Sequence, residues 1–400
     1  MHARVTTALV GLVLTGAVSC SRSHAASDAG SDASSALVLR TPPTTAPAIA
    51  IHNLDAEIAD QEKRMARGEV NAPYDLIARY LSRAQFEGRV ADLVQADETS
   101  ARLVADRPTE SRAHVTRARA LSSIHDFAGA FAQLEAAAPS TPADVAAVSQ
   151  ERGALLLATG REDEAAQILK VRNGAHADEF VMRAGVEARL GHAEEAERLF
   201  ELARTQYHDV SPIMWTWMDF ERSRALEAAG NRRDAKVYLE EAVKILPTYA
   251  HAVVHLAAMQ PPDVALPALQ ALAKTSDDPD VLGGQADALR RAGRADEAKA
   301  MAASAAARYS EVLARLPLAY ADHAASFYLG MGHDPARALD LAKRNADNRP
   351  TDEAIELWLT AAQAAGSHDA TCDAAGKALG RPHASQELRD RATAARKGCP

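Results

Sequence analysis

Apolar residues along this chain recur at helical spacing in short segments that end at turn-like positions. Within residues 145–170, apolar side chains at Val148, Leu155 and Leu156 precede Gly160, and small or apolar residues from Ala165 onward follow it. Apolar positions three, four and seven residues apart predict an amphipathic helix on each side of the glycine. Glycine ends a helix because it adopts the left-handed backbone without steric cost. The segment therefore predicts a helical hairpin.

The same turn returns about every 35 residues along most of the chain. A small residue, alanine in eight cases and threonine in the ninth, stands five positions after each turn. The predicted turn positions are Phe86, His125, Gly160, Gly191, Gly230, Gln260, Gly293, His333 and Gly366. A period of 20–50 residues is typical of solenoids, whose units bury their apolar faces against neighbouring units. We expect helices over 53–68 and 384–397 to cover the two ends of the array.

The repeated units resemble tetratricopeptide repeats over about residues 70–380. The eighth position of each unit is small, as in that family: Ala118, Gly153, Ala184, Ser223, Ala286 and Ser326. The eleventh is a large apolar residue: Leu121, Leu156, Leu226, Leu256, Leu289 and Leu329. Val253 and Glu187 depart from this pattern, as do Arg79 and Ser82 in the first unit. The resemblance implies an all-α, right-handed α-solenoid of about nine helical hairpins with terminal capping helices.

The N-terminus has the features of an export signal. An apolar stretch from Val5 to Val18 is too short to span a bilayer but suits a signal peptide. The residues before Cys20 resemble a bacterial lipobox, which implies lipidation of Cys20 and an outer-membrane lipoprotein facing the periplasm. Cleavage without lipidation is the alternative. We predict a signal peptide over 1–19, a disordered tether over 20–50 and the solenoid over 51–400.

Composition and motifs narrow the function classes. A net charge of −9 argues against general nucleic-acid binding, which needs a basic surface. The sequence contains no phosphate-binding loop, dinucleotide fingerprint or nucleophile elbow. We therefore predict no enzymatic activity, no catalytic residues and no cofactor.

The resemblance also places a partner-binding groove on the concave face of the solenoid, at fixed positions of the first helix of each unit. The residues carried over to those positions are Arg112, Arg119, Arg189, Trp217, Phe220, Arg224, Asp287, Arg290, Tyr320, His323 and Phe327. Arginines alternating with aromatic residues suit an extended, partly acidic peptide, because guanidinium groups pair with carboxylates and rings bury area.

Histidines and cysteines offer two further possibilities. His251 and His255 have the i, i+4 spacing of a metal pair, but no glutamate motif or third ligand accompanies them, and we expect ordinary helical histidines. Cys372 and Cys399 fall at neighbouring ends of two antiparallel helices, which makes a disulfide feasible in an oxidising compartment. Two unpaired thiols are the alternative.

These features together predict a non-enzymatic scaffold of the bacterial cell envelope that binds envelope proteins or extended peptides. One alternative is a regulatory or accessory subunit of a glycan-processing, peptidoglycan-processing or secretion complex. A second alternative is a periplasmic metal- or small-ligand-binding protein that uses His251, His255 and His323.

Overall fold

The computed structural model describes residues 39, 41–139, 141–170 and 176–399. Within these residues the chain forms twenty α-helices and no β-strand, so the predicted all-α class is confirmed. The helices are α1 (Pro47–Ala66), α2 (Ala72–Glu87), α3 (Val90–Asp106), α4 (Ser111–Ser123), α5 (Phe127–Ala136), α6 (Pro142–Ala158), α7 (Glu162–Lys170), α8 (Ala177–Arg189), α9 (Ala193–Gln206), α10 (Pro212–Ala228), α11 (Arg232–Ile245), α12 (Ala250–Met259), α13 (Pro262–Leu272), α14 (Pro279–Arg291), α15 (Ala295–Arg315), α16 (Ala321–Leu329), α17 (Pro335–Asn348), α18 (Asp352–Ala364), α19 (His368–Leu379) and α20 (Gln386–Arg396).

The helices pack most extensively in consecutive pairs, from α2 with α3 to α18 with α19, and these pairs form nine helical hairpins. The first helices of neighbouring hairpins also touch, as in the pairs α4 with α6 and α12 with α14. This single-file stacking is the order of an α-solenoid, as the period predicts. The helices α1 and α20 pack on α2 and α19 and cover the two ends. The handedness of the superhelix stays a prediction.

The first capping helix begins earlier than the sequence pattern indicates. It starts at Pro47, ahead of the predicted start at 53 and inside the predicted tether of 20–50. Proline is tolerated at the first helical position because its missing N–H has no partner there in any helix. Leu54 and Ile58 bury one face of this helix. The segment before it is also attached to the solenoid, since the Thr45 N–H donates to the carbonyl of Val210 at 2.7 Å.

Eight of the nine hairpins turn through a residue with positive φ: Gly88, His125, Gly160, Gly191, Gly230, Gly293, His333 and Gly366. Two predicted turn positions are wrong. Phe86 is buried inside α2, and that hairpin turns at Gly88. Gln260 has an extended backbone with φ −106°, because a proline follows it and disfavours helical backbone in the preceding residue.

Small residues occupy the helix crossings within the hairpins. Ala118, Ala184 and Ala286 are fully buried. A Cβ atom on Gly153 would stand 2.9 Å from Cδ2 of Leu169, a distance that side chains do not tolerate. The small eighth position therefore follows from the close approach of the paired helices.

Three early hairpin turns contact segments about 190–220 residues later in the chain, and we call this line of contacts the seam. At the first, the carbonyl of Gly88 accepts hydrogen bonds from Ser276 Oγ at 2.9 Å and from the Asp277 N–H at 3.1 Å. At the second, the carbonyl of His125 accepts a bond from Asn348 Nδ2 at 2.9 Å. The seam thus joins the first superhelical turn of the solenoid to the second.

The third contact of the seam is ionic. Arg381, in the loop between α19 and α20, pairs with Glu162 at 2.7 Å and with Asp352 at 2.7 Å. It also donates to the carbonyl of Gly160 at 3.4 Å. Both Arg381 and Glu162 are buried. A buried ion pair of this kind fixes the position of the two superhelical turns, since removing one partner leaves the other charge unpaired.

Cys372 and Cys399 are joined by a disulfide, with their Cα atoms 5.6 Å apart. This bond ties α19 to the chain just after α20. The predicted signal peptide, Cys20 and most of the tether lie outside the described residues. Within the described part of the chain, no helix has the length and apolar character needed to cross a bilayer.

Candidate functional site

The eleven residues predicted for the groove differ widely in exposure. Two are exposed, Arg112 and Arg290. Five are half-buried: Arg119, Arg189, Arg224, Asp287 and His323. Four are buried, and all of these are aromatic: Trp217, Phe220, Tyr320 and Phe327.

Most of the groove arginines have partners within the chain. Arg119 pairs with Glu151 at 2.8 Å, and Arg189 pairs with Glu353 at 3.1 Å. Arg290 pairs with Asp287 on its own helix at 2.7 Å. These pairs neutralise positive charge that an acidic peptide would need, so the groove offers less attraction to carboxylates than its sequence indicates.

The other two arginines of the groove, Arg112 and Arg224, interact with a tyrosine ring and a buried carboxyl group of the same chain. The Arg112 guanidinium lies over the ring of Tyr74, 4.0 Å from its centroid. Burial raises the pKa of the Glu221 carboxyl to about 7, and the charge of Arg224 partly offsets that shift. Both arginines therefore act on neighbouring groups of the same chain.

The aromatic residues of the predicted groove pack against their own neighbours. Phe220 meets Tyr249 edge-on, with ring centroids 5.0 Å apart, and also contacts His255 at 5.3 Å. Phe327 lies 4.9 Å from Tyr309. These buried rings are part of the hydrophobic core beneath the concave surface.

One stretch of the concave wall contains an open pocket of about 170 Å³. It is formed by α12, α14 and α16, the first helices of three consecutive hairpins, and by α15. On each first helix the lining residues are spaced three or four positions apart and so share one face. Among them are Val254 and Ala258 on α12, Gly283 and Asp287 on α14, and His323 and Phe327 on α16. The predicted Asp287, His323 and Phe327 thus meet at one pocket.

His323 carries the strongest electrostatic interaction of the pocket. Its Nδ1 pairs with Asp280, and its Nε2 lies 3.9 Å from Asp322 Oδ1. Burial disfavours the charged imidazole, but the two carboxylates outweigh this effect and raise the pKa of His323 to about 10. Asp322 also pairs with the buried Arg349. His323 is therefore an imidazolium held within a chain of ion pairs.

Two tyrosines satisfy the carboxyl groups behind the pocket. Tyr309 donates a hydrogen bond to Asp280, and Tyr320 donates one to Asp278 at 3.0 Å. Burial and the neighbouring Asp280 raise the pKa of the Asp278 carboxyl to about 7. Tyr320, predicted as a groove residue, thus supports the pocket from behind.

The structure brings the three candidate histidines of the metal hypothesis to the same pocket. His251, His255 and His323 all line it, and the rings of His251 and His323 lie 6.0 Å apart. Burial, followed by the charge of His323, lowers the pKa of His251 to about 4. Burial, followed by the charge of Arg224, lowers the pKa of His255 well below its usual range. Among the described residues, no group of three or more His, Cys, Asp or Glu side chains could hold a metal ion.

Sequence reasoning missed several lining residues. Ala258 and Gly283 carry no reactive group, and Tyr309 lies on α15, a second helix that the groove positions do not include. One signal was available, because Gly283 and Gly284 interrupt a helix where alanine is otherwise preferred. Adjacent glycines inside a predicted helix indicate space or close approach on that face.

Neither a protein-family model nor a curated protein sequence matches the chain. The solved structures similar to it include the "APC/C hetero-tetramer Cut9-Hcn1" and "the Yeast Tom70". The first has a TM-score of 0.43 and 13% identity over 72% of this chain and 55% of that chain. The second has a TM-score of 0.34 and 12% identity over 87% of this chain and 96% of that chain. The chain spans about half the length of the first. At these TM-scores the fold assignment rests on the helices described above.

Proposed function

We propose that this protein is a non-enzymatic binding protein that docks partner polypeptides on the concave wall of its solenoid. The observation that carries the proposal is the pocket between α12, α14 and α16. Three successive hairpins place equivalent positions around it, as a solenoid does when it presents one continuous surface to a partner. The contact with the partner is centred on this pocket.

The chemistry of the pocket supports binding over catalysis. Its charged groups are paired with one another, as in the pair of His323 with Asp280. A general acid or base must reach a proton of the substrate, and its pKa serves best near the working pH. His323 has a pKa of about 10 and His251 one of about 4, both far from neutrality.

The proposal includes the location predicted from the N-terminus. We propose export to the cell envelope, with a lipid on Cys20 holding the solenoid at the periplasmic face of the outer membrane. The disulfide between Cys372 and Cys399 supports an oxidising compartment. In a bacterial expression host, Cys20→Ser should move the protein from the membrane fraction to the periplasmic extract. Retention of the variant in the membrane fraction would rule out anchoring through this residue.

The binding proposal is tested with a displayed library of linear peptides, selected on the immobilised protein. Ala258 is exposed at the pocket, so Ala258→Trp covers the opening without disturbing the core. Ala228 is exposed at the equivalent position of α10 and does not line the pocket, which makes Ala228→Trp the matched control. We expect selected peptides to lose at least tenfold in affinity for Ala258→Trp and to keep their affinity for Ala228→Trp.

Two results would overturn this proposal. The first is a selection that enriches no peptide above a blank surface. The second is a set of peptides that bind both tryptophan variants equally, since their site would then lie elsewhere. A role as an accessory subunit of an envelope complex would use the same surface, and the identity of the captured partner would distinguish it.

A further inference from the structure

We infer that the pocket is an anchor site for one neutral aromatic side chain of the partner polypeptide. This inference rests on the proposed function and specifies the chemistry of the contact. Three features of the pocket carry it: an unfilled floor, an aromatic wall and charges that are balanced within the chain.

The floor of the pocket is left open by Gly283. A Cβ atom added there would stand 3.5 Å from Cδ2 of Phe327 and 3.8 Å from the hydroxyl of Tyr309, which are ordinary contact distances. The protein itself therefore does not require glycine at this position. A glycine inside a helix costs about 0.5–1 kcal/mol relative to alanine. Internal packing does not explain Gly283, and an incoming side chain would use the space that it leaves.

The neighbouring glycine differs in this respect. A Cβ atom on Gly284 would stand 3.3 Å from Cδ2 of Leu269, closer than most side-chain contacts. Packing of α14 against α13 accounts for Gly284. Both glycines line the pocket, but only Gly283 has no close internal neighbour that requires a glycine.

The wall next to Gly283 is aromatic. Phe327 and Tyr309 stand with ring centroids 4.9 Å apart, and the His251 ring lines the same pocket. Aromatic rings favour other rings in tilted or edge-to-face arrangements, which stabilise a pair by about 0.5–1.5 kcal/mol beyond area burial. A cavity of about 170 Å³ has room for one such ring and little more.

The charges around the pocket exclude an ionic occupant. His323 is paired with Asp280, and Arg291 bonds Asp287 at 2.8 Å and the carbonyl of Ala257 at 2.9 Å. Three polar atoms of the lining, His255 Nδ1, His323 Nε2 and Ser326 Oγ, have no hydrogen-bond partner among the described residues. The charges of His323 and Arg291 are nevertheless balanced by carboxylates of the same chain, so an entering carboxylate or ammonium would lose its hydration without meeting an unbalanced opposite charge. A neutral ring loses no such hydration.

The occupant is a side chain of a polypeptide because of where the pocket opens. Its lining comes from one face of α12, α14 and α16, so a chain lying across these three helices can extend a ring into it. Ala258 lines the pocket near the end of α12 and is exposed, so the pocket is reached from solvent on this side. Buried aromatic side chains are often among the few residues that carry most of the binding energy of an interface.

The test uses labelled methionine methyl groups in an NMR spectrum of the whole exported chain. Met331 lines the pocket, and Met218 is buried in α10 and reports any general change. The probes are N-acetyl-phenylalaninamide, N-acetyl-leucinamide and N-acetyl-glutamic acid amide, added separately. We expect the aromatic probe to shift the Met331 methyl signal in a saturable manner, with weaker or no shifts from the other two and none at Met218.

Two substitutions make the assignment specific. Gly283→Leu places a side chain in the pocket and should abolish the shift caused by the aromatic probe. Gly185 also lies within a first helix, α8, where a Cβ atom would meet only Leu157 at 3.5 Å. Gly185→Leu should leave the shift unchanged. If Gly283→Leu fails to fold, Ala258→Trp serves in its place.

The outcomes separate this inference from the proposed function. If displayed peptides require an open pocket but carry acidic or aliphatic residues there, and the aromatic probe does not shift Met331, the anchor inference fails and the binding function stands. If the aromatic probe binds and no peptide does, the proposed function fails. Replacing the aromatic residue of a selected peptide by alanine should weaken binding at least tenfold, and an unchanged affinity would contradict the inference.

Discussion

The turns at Gly160 and Gly191 have the same local structure and opposite surroundings. Both glycines have positive φ and end the first helix of a hairpin. At Gly160 an added Cβ would stand 2.7 Å from Nη1 of Arg381 and 2.8 Å from the carbonyl oxygen of Pro350. At Gly191 no atom lies within 4 Å of that position. Two turns with the same local sequence pattern therefore differ in the folded protein: one is covered by the seam and the other is exposed.

This difference shows which turns join distant parts of the solenoid. The turns of the first three hairpins meet a later part of the chain, whereas Gly191, Gly230, Gly293 and Gly366 have free space around them. In most solenoids each unit contacts only its neighbours, and stability is close to a sum of nearest-neighbour terms. The seam adds interactions of long sequence separation, so we expect unfolding to be more cooperative than in an open array.

The largest effect is expected at Arg381. Arg381→Ala leaves the buried carboxylate of Glu162 without its partner, which should cost about 3–5 kcal/mol of unfolding free energy. Arg161 pairs with the exposed Glu164 and lies 5.6 Å from the ring centroid of Phe131, so Arg161→Ala should cost less than about 1 kcal/mol. Urea unfolding followed by circular dichroism measures both. Similar losses in the two variants would show that the seam adds no stability.

The glycine comparison is expected to give the next largest effect. Gly160→Ala combines a left-handed alanine with a steric clash at Pro350 and should cost about 3 kcal/mol. Gly191→Ala has the same backbone and no clash, and should cost about 1 kcal/mol. X-ray scattering of folded Gly160→Ala should also show a larger radius of gyration. If Gly160→Ala leaves the radius of gyration unchanged and costs as much stability as Gly191→Ala, the whole effect arises from strain in the local turn.

A helix cap supplied from across the seam gives an intermediate effect. Asp277 accepts hydrogen bonds from the N–H groups of Val90, at 2.5 Å, and Ala91 at the start of α3. Asp277→Ala should cost about 2 kcal/mol, because a helix N-terminus and the seam lose the same partner. Asn231 caps α11 locally at an open turn, and Asn231→Ala should cost about 1 kcal/mol. Both are read from chemical unfolding, and a larger loss for Asn231→Ala would contradict the role of the seam.

The smallest effects are expected at the two histidines with positive φ. His333 is exposed at an open turn, so His333→Gly should relieve backbone strain and stabilise the protein by about 0.5 kcal/mol. His125 stacks on Phe127, and its Nδ1 lies 3.2 Å from the carbonyl oxygen of Leu318. His125→Gly should therefore destabilise by about 1 kcal/mol. Thermal unfolding checks the two signs, and stabilisation by both variants would show that the His125 contacts contribute nothing.

Sequence pattern predicted the hairpins well where a glycine stood at the turn. Gly160, Gly191, Gly230, Gly293 and Gly366 were located correctly because the left-handed backbone needs them locally. At the four positions without a glycine the prediction relied on the period, and it was right at His125 and His333 but wrong at Phe86 and Gln260. Helix propensity and turn chemistry act over a few residues, and a period fixes a turn only to within two or three positions.

The candidate site was predictable in part. The repeat register placed Asp287, His323 and Phe327 on one wall, and they do meet at the pocket. It could not indicate that Arg189 pairs with Glu353, 164 residues away, or that Trp217 and Phe220 are buried. These outcomes depend on how far the superhelix winds. A repeat pattern does not encode that winding, because it arises from small rotations added over many units.

The sequence by itself determined the helices, their pairing and the small residues at the crossings, since each follows from preferences within one repeat. Only the tertiary structure decided which turns are covered, which charges are neutralised and where the inner wall stays open. Contacts such as those between Gly88 and Ser276 arise once stacking has brought two distant repeats together. These contacts form only in the assembled superhelix, so their contribution to stability does not follow from the sequence of any single repeat.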